Sequence, residues 1–192
     1  MKPKLPKSLI TDERVAGELL KRTIVLPLCQ ALGGRLTAAV YHCLSGDLAD
    51  TLGDGSVCLG GEVQLEITTS DLLCLSWGEK LGWTDDFALA VGHTSFLKAG
   101  TGTPVDVSRG HLWGPCIDRN LTEFQVLGWN GVPYVVRLQF ESVDLVIGTQ
   151  YEGQFGPGDE VCVAEVSQNE RVRNMETLWR ARSGIGPCPP PS

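Results

Sequence analysis

The sequence lacks every compact motif that would name an activity. It has no GxGxxG, GxxxxGK[ST], HExxH or GxSxG, so the phosphate cradles, zinc helices and nucleophile elbows built on those spacings are not indicated. Its seven cysteines include no CxxC, which removes zinc-knuckle and thioredoxin-type spacing. Histidine is scarce: three residues, at 42, 93 and 111, in 192. No apolar run reaches the roughly 18 residues that a spanning helix needs. The opening "MKPKLPKSLITDER" carries basic residues with no apolar stretch behind them, so it does not read as a secretory signal. The expected location is the cytoplasm, with the cysteines acting as small buried hydrophobes in a reducing compartment.

Charge is present, and it is uneven. Residues 1–22 hold six basic and three acidic groups; residues 23–168 hold six basic and eighteen acidic; residues 169–192 hold four basic and two acidic. An acidic body repels phosphate backbones and favours a basic protein partner, so nucleic acid is not expected. No membrane partner and no cofactor are expected either, and nothing in the sequence sets an oligomeric state.

The pattern along the chain predicts α+β architecture, mainly antiparallel β. Residues 1–10 read as a flexible basic arm, 11–184 as one domain, and "GPCPPPS" within 185–192 as a proline-rich tail. Thr11 or Asp12 can cap a helix on which Ala16, Leu20 and Ile24 recur at helical spacing, with Pro27 ending or kinking it. From 35 onward the period becomes two. Strands are expected at 35–44, in a hairpin over 61–77, at 86–93, in a pair over 121–140 joined at "NGV", and in two more around "GQFGPG". The last, "DEVCVAEV", is apolar on both faces and should be interior. Residues 45–56 and 98–110 read as loops, and 169–184 as a C-terminal helix capped by Asn169 and stopped at Gly184.

One segment echoes another. "EVQLEITTSDLLCLSWGE" (62–79) lies over "VVRLQFESVDLVIGTQYE" (135–152) without a gap, matching Leu65 to Leu138, Ile67 to Phe140 and Leu72 to Leu145. Inward and outward positions stay in phase. This suggests a duplicated unit of about three strands, spanning roughly 33–93 and 114–166.

Few residues are candidates for chemistry. His111, Cys116 and Asp118 in "HLWGPCID" have the residue types of a thiol hydrolase, although such partners are ordinarily distant in sequence. A bend at Gly114–Pro115 with Trp113 packed inward explains the same residues. His93 shares an alternating face with Phe87, Leu89 and Val91, as an edge or core histidine would. His42 and Cys43 point to opposite faces of one strand and cannot share a metal, so no metal site is expected. Acidic residues gather at Asp47, Asp50 and Asp54, at Glu62 and Glu66, and at Asp85 and Asp86, the last pair beside Trp83. Aromatics beside an acidic rim suit a protein-binding face.

The order "LGGRLTAAVY … GGEVQLEITTSDLLCLSWGE … HLWGPCIDRNLTEFQVLG … PYVVRLQFESVDLVIG … GDEVCVAEV" (33–166) resembles small uncharacterised bacterial β-rich proteins, some grouped with the immunity proteins of polymorphic toxin systems. The resemblance implies a non-enzymatic acidic protein that blocks a basic partner. The expectation is therefore a protein-binding module acting through Asp47, Asp50, Asp54, Glu62, Glu66, Trp83, Asp85 and Asp86. The alternatives are a thiol-dependent hydrolase using Cys116 and His111, and a self-assembling structural module.

Overall fold

In a computed structural model of the chain, residues 12–44, 50–51, 55–79, 87–151, 154–166 and 172–184 are described. The arm, the tail and most of the acidic loop 45–56 lie outside them. Asp12 caps the helix: its carboxylate accepts the N–H groups of Arg14 (2.9 Å) and Val15 (3.3 Å). The helix α1 (Glu13–Leu20) runs through a π-turn (Lys21–Val25) into α2 (Leu26–Ala31) without breaking. The break or kink expected at Pro27 is thus replaced by a widened turn. The Leu26 N–H reaches back to the Lys21 carbonyl, and the wider turn gives the proline ring room. Ile24, Val25, Leu28 and Ala31 are buried, the π-turn against the sixth strand and α2 against the fifth and sixth.

The rest is mostly antiparallel β-sheet. The strands are β1 (Leu36–Cys43), β2 (Asp50–Thr51), β3 (Val57–Leu59), β4 (Gly61–Ile67), β5 (Asp71–Glu79), β6 (Phe87–Gly92), β7 (Thr103–Asp106), β8 (Leu121–Trp129), β9 (Val132–Phe140), β10 (Val143–Tyr151), β11 (Gln154–Phe155), β12 (Glu160–Glu165) and β13 (Glu176–Arg182). One sheet has the order β6-β5-β4-β1-β7; the other runs β13-β8-β9-β10-β12-β3-β2, with β11 beside β10. The sheets lie face to face, β5 and β6 against β9, β10 and β12, over one continuous apolar cluster.

Two expectations are corrected here. The predicted C-terminal helix is instead a turn followed by β13. Leu178, Trp179, Arg180 and Arg182 have fair helix propensity, but the outer edge of β8 presents unpaired backbone groups that a strand satisfies and a helix does not. The predicted loop 98–110 contains β7, which closes the other side of β1. β12 is interior, as its two apolar faces foretold, lying between β10 and β3.

The two sheets share a connectivity. In each, four strands are followed by a fifth that returns to pair with the first: β6-β5-β4-β1-β7 and β12-β10-β9-β8-β13. The registers agree in detail. Leu36 faces Ile67, a bulge follows, then Ala39 faces Leu65. Leu121 faces Phe140, a bulge follows, then Phe124 faces Leu138. Beside each bulge a threonine hydroxyl donates across the ladder at 3.1 Å, Thr37 to the Glu66 carbonyl and Thr122 to that of Gln139. The ungapped sequence echo fails at the next turn, however. Three residues separate β4 from β5 and two separate β9 from β10. Leu65 therefore faces Leu73 while Leu138 faces Leu145, so the structural counterpart of Leu145 is Leu73 and not Leu72.

The two first strands also meet. Gly33 N–H donates to the Leu121 carbonyl and Leu121 N–H to that of Gly34, both at 2.8 Å; Leu36 N–H donates to Arg119 and Asp118 N–H to Leu36. This short antiparallel seam, centred on Arg35 and Asn120, joins the sheets at one corner. Gly34 is required there, since a Cβ would overlap Thr69 Oγ1 and Ile67 Cγ2.

β13 is held by a buried charge. Glu123, 4% exposed, accepts from Arg180 Nε at 2.7 Å, from Gln125 at 2.8 Å and from Arg182. Burial alone would raise its pKa; hydrogen bonds from Arg180, Gln125 and Arg182 override this and hold the carboxyl at about 2, against an ordinary 4.5. A depressed folded-state pKa contributes stability above the ordinary value, lost as pH falls from about 4.5 towards 2. Glu123→Gln should cost about 2 kcal/mol at neutral pH and flatten that acid decline. Denaturant unfolding at several pH values measures both; an acid decline equal to wild type would remove Glu123 as its source.

Candidate functional site

The segment "HLWGPCID" is resolved into architecture. Trp113 is 1% exposed and donates its indole N–H to the Tyr41 hydroxyl at 2.8 Å. Burial pushes the Tyr41 phenol well above its usual range, although Trp113 pulls the other way. A 3-10 turn (Gly114–Cys116) follows, with Pro115 in its first turn. Cys116 is fully buried, and its thiol donates to the Leu112 carbonyl. Burial, then the charge of Glu165, pushes that thiol up to about 12, so no thiolate nucleophile forms near neutral pH. His111 is exposed and turned away, its Nε2 2.8 Å from the Gly55 carbonyl. Asp118 is exposed, adopts positive φ (64°) and approaches Arg35 at 3.9 Å. The three residues are not assembled for nucleophilic attack.

The other sulfurs and histidines serve the fold. Cys43, Cys58, Cys74, Cys116 and Cys162 are buried thiols outside any disulfide. Cys29 is disulfide-bonded, which is at odds with the reducing compartment expected from the cysteine pattern. His93 lies between the Leu72 carbonyl (Nδ1, 2.7 Å) and Gln30 Oε1 (Nε2, 2.5 Å), tying α2 to β5 and β6. Among the described residues no group of three or more His, Cys, Asp or Glu is placed to hold a metal, and no helix is long and apolar enough to cross a membrane.

The acidic residues divide. Asp47, Asp54, Trp83, Asp85 and Asp86 lie outside the described residues, and of Asp50 only the backbone is described, in β2 opposite Cys58. Glu62 is corrected from surface charge to internal anchor. It is fully buried, accepting the Phe96 N–H at 2.7 Å and Gln64 Nε2 at 2.6 Å. Strand alternation does put it on the outer face, but the segment after β6 folds over that position. Its charge adds to burial in pushing the Cys74 thiol to about 12. Glu66, two residues along, is exposed. On β7, within the segment 98–110 whose pattern predicts a loop, the exposed Asp106 lies opposite Val40 on the same outer face. Hydrogen bonds from Ser108 lower its pKa. The alternation in "TPVDV" is the available signal, masked by its proline and by the glycines that flank it.

A second feature is a cleft of about 350 Å³ between the helix and β6, lined by Arg22, Thr23, Ile24, Pro27, Leu89, Ala90, Val91 and Phe96. Phe96 stands 46% exposed at its rim, against Gly92. Neither Arg22 nor Phe96 carried a sequence pattern that marked it.

Under native conditions a thiol reagent such as Ellman's should leave Cys116 unmodified until denaturant is added; prompt labelling at Cys116 would revive the hydrolase chemistry. Trp113→Ala should cost about 3–5 kcal/mol in denaturant unfolding, whereas His111→Ala should stay within about 1 kcal/mol. Comparison with known proteins finds no matching family model, no matching curated protein and no matching solved structure.

Proposed function

We propose that the protein is a non-enzymatic binding module that meets a basic protein partner, in the manner of an immunity-type inhibitor. The observation that carries the reading is the outer face of the first sheet. Glu66 and Asp106 stand exposed there, with Gln64 and His42 half-buried between the strands. Neither Glu66 nor Asp106 has a salt bridge to a described residue, while Glu123, Asp118, Glu141 and Asp144 are each paired with arginine. Exposed carboxylates on one face, on a chain of net charge −7, favour encounter with a positive surface, although Arg109 near Asp106 offsets part of that charge. The buried thiol of Cys116 supports binding over hydrolysis. We also propose that the two five-strand paths descend from one duplicated unit, on the strength of their matching connectivity, bulges and threonine bonds.

The double variant Glu66→Lys/Asp106→Lys should fold as wild type, since both sites are exposed. Wild type immobilised in native lysate should retain a protein of high pI, released by high salt and not retained by the variant. Retention of the same protein by the variant, or retention indifferent to salt, would overturn the acidic-face reading.

A further inference from the structure

Each of the two five-strand paths has two ends, and three of these four ends are closed. β6 is covered: Leu89, Ala90 and Val91 are buried, and the π-turn packs against the strand. β12 is occupied by β3, with Leu59 facing Val161, Cys58 facing Cys162 and Val57 facing Val163. β7 is exposed, but its backbone is blunted. Val107 N–H donates to the Ala39 carbonyl, so by the alternation of an antiparallel ladder Val105 and Thr103 also turn their backbone groups towards β1. Pro104 and Asp106 turn theirs away. Proline has no N–H to offer there, and a strand added to so short an edge would lose a bond at its middle.

β13 is the fourth end, and it is open. It is the last strand of its sheet, paired to β8 alone. Ser183 N–H donates to the Thr122 carbonyl, and Ala181 and Trp179 follow in register opposite Phe124 and Val126. Arg180 and Arg182 are therefore the residues whose N–H and carbonyl groups point away from β8. Among the described residues no hydrogen bond reaches those groups. Neither position holds a proline, and the two arginine side chains are 51% and 56% exposed. Trp179 and Ala181 occupy the opposite face of the strand, where Lys21 lies over the Trp179 ring at 5.9 Å. The helix thus meets β13 on the face away from the arginines.

We propose that the open edge of β13 is a strand-addition site for an extended acidic segment of a partner polypeptide. Main-chain bonds to Arg180 and Arg182 continue the sheet by one strand. The two arginines set the chemistry of that strand. They share a single carboxylate, Glu123, so the pair keeps one positive charge in excess and has N–H donors that Glu123 does not use. Carboxylates at alternate positions of the added strand fall on the arginine face, across from those donors. Arg180, opposite Gln125, holds the place that Asp106, opposite Val40, holds in the first sheet, so the two halves present opposite charge at matching positions. A second copy of the chain fits less well, because antiparallel pairing of two β13 strands about Ala181 sets Arg180 against Arg182. The site lies on the second sheet and does not depend on the acidic-face reading.

The test uses the full chain and a short, end-blocked peptide of alternating valine and glutamate. Amide hydrogen exchange is followed residue by residue with and without millimolar peptide. Slowed exchange at Arg180 and Arg182 is expected, with Asp106 on the blunted β7 edge unchanged. A peptide of alternating valine and lysine should give no protection. Arg182→Gln, which leaves Arg180 on Glu123, should weaken the glutamate peptide about tenfold. Unchanged exchange at Arg180 and Arg182 in the wild type would overturn the proposal, as would equal protection by the lysine peptide or affinity indifferent to Arg182→Gln. Slowing of the same two amides without peptide, as protein concentration rises, would also sink it, since the occupant is then a second copy.

Discussion

The short antiparallel seam between Gly33–Leu36 and Asp118–Leu121 is what the remaining architecture depends on. Each first strand is at once an interior strand of its own sheet and a partner to the other's beginning. Backbone groups at a sheet corner must find partners or face water; here each corner satisfies the other. The exchange fixes where the sheets cross and therefore which strands face each other across the core. Trp113 then closes the space beside the seam by donating to Tyr41, and the 3-10 turn with Cys116 leads the chain back to β8.

Charge is handled differently in the two sheets. Glu123 beside β13 is neutralised by two arginines on the neighbouring strand. Glu62 is equally buried, but it accepts from the Phe96 amide N–H and the Gln64 side chain. Both lie in a Glu-x-Gln sequence in which the glutamine amide turns back to the carboxylate. One carboxylate anchors a strand and the other anchors the Phe96 segment, so neither contributes to an outward-facing acidic surface.

Much of the β architecture could be read from period-two alternation. Strands with one dry face, such as Val63–Leu65–Ile67, and the doubly apolar β12 stand where the pattern placed them. The Asn130–Gly131 turn was legible for the same reason: its residues tolerate positive φ. What could not be read was set by partners distant in sequence. Glu176–Arg182 has helical composition and becomes a strand because β8 has an open edge. Thr103–Asp106 is too short and too interrupted to announce itself, and pairs because β1 has a second side. Glu62 alternates outward but is buried by a segment that begins some thirty residues later. The candidate surface was legible only at Glu66; Asp106 and the cleft required the sheet to be assembled first.

The pairing of β3 with β12 has a consequence for the order of folding. Val57–Leu59 leave the ribosome roughly a hundred residues ahead of Val161–Val163, so this contact is among the most non-local in the chain. The first sheet can form its five strands well before then, since β1, β4, β5, β6 and β7 all lie within residues 36–106. During that interval β3 has the two-residue strand β2 beside it and its other side waits for β12. The second half of the chain must arrive to claim that side. Joining the halves is therefore a late, committing step, because a strand made among the first completes its pairing only after β12 has been made.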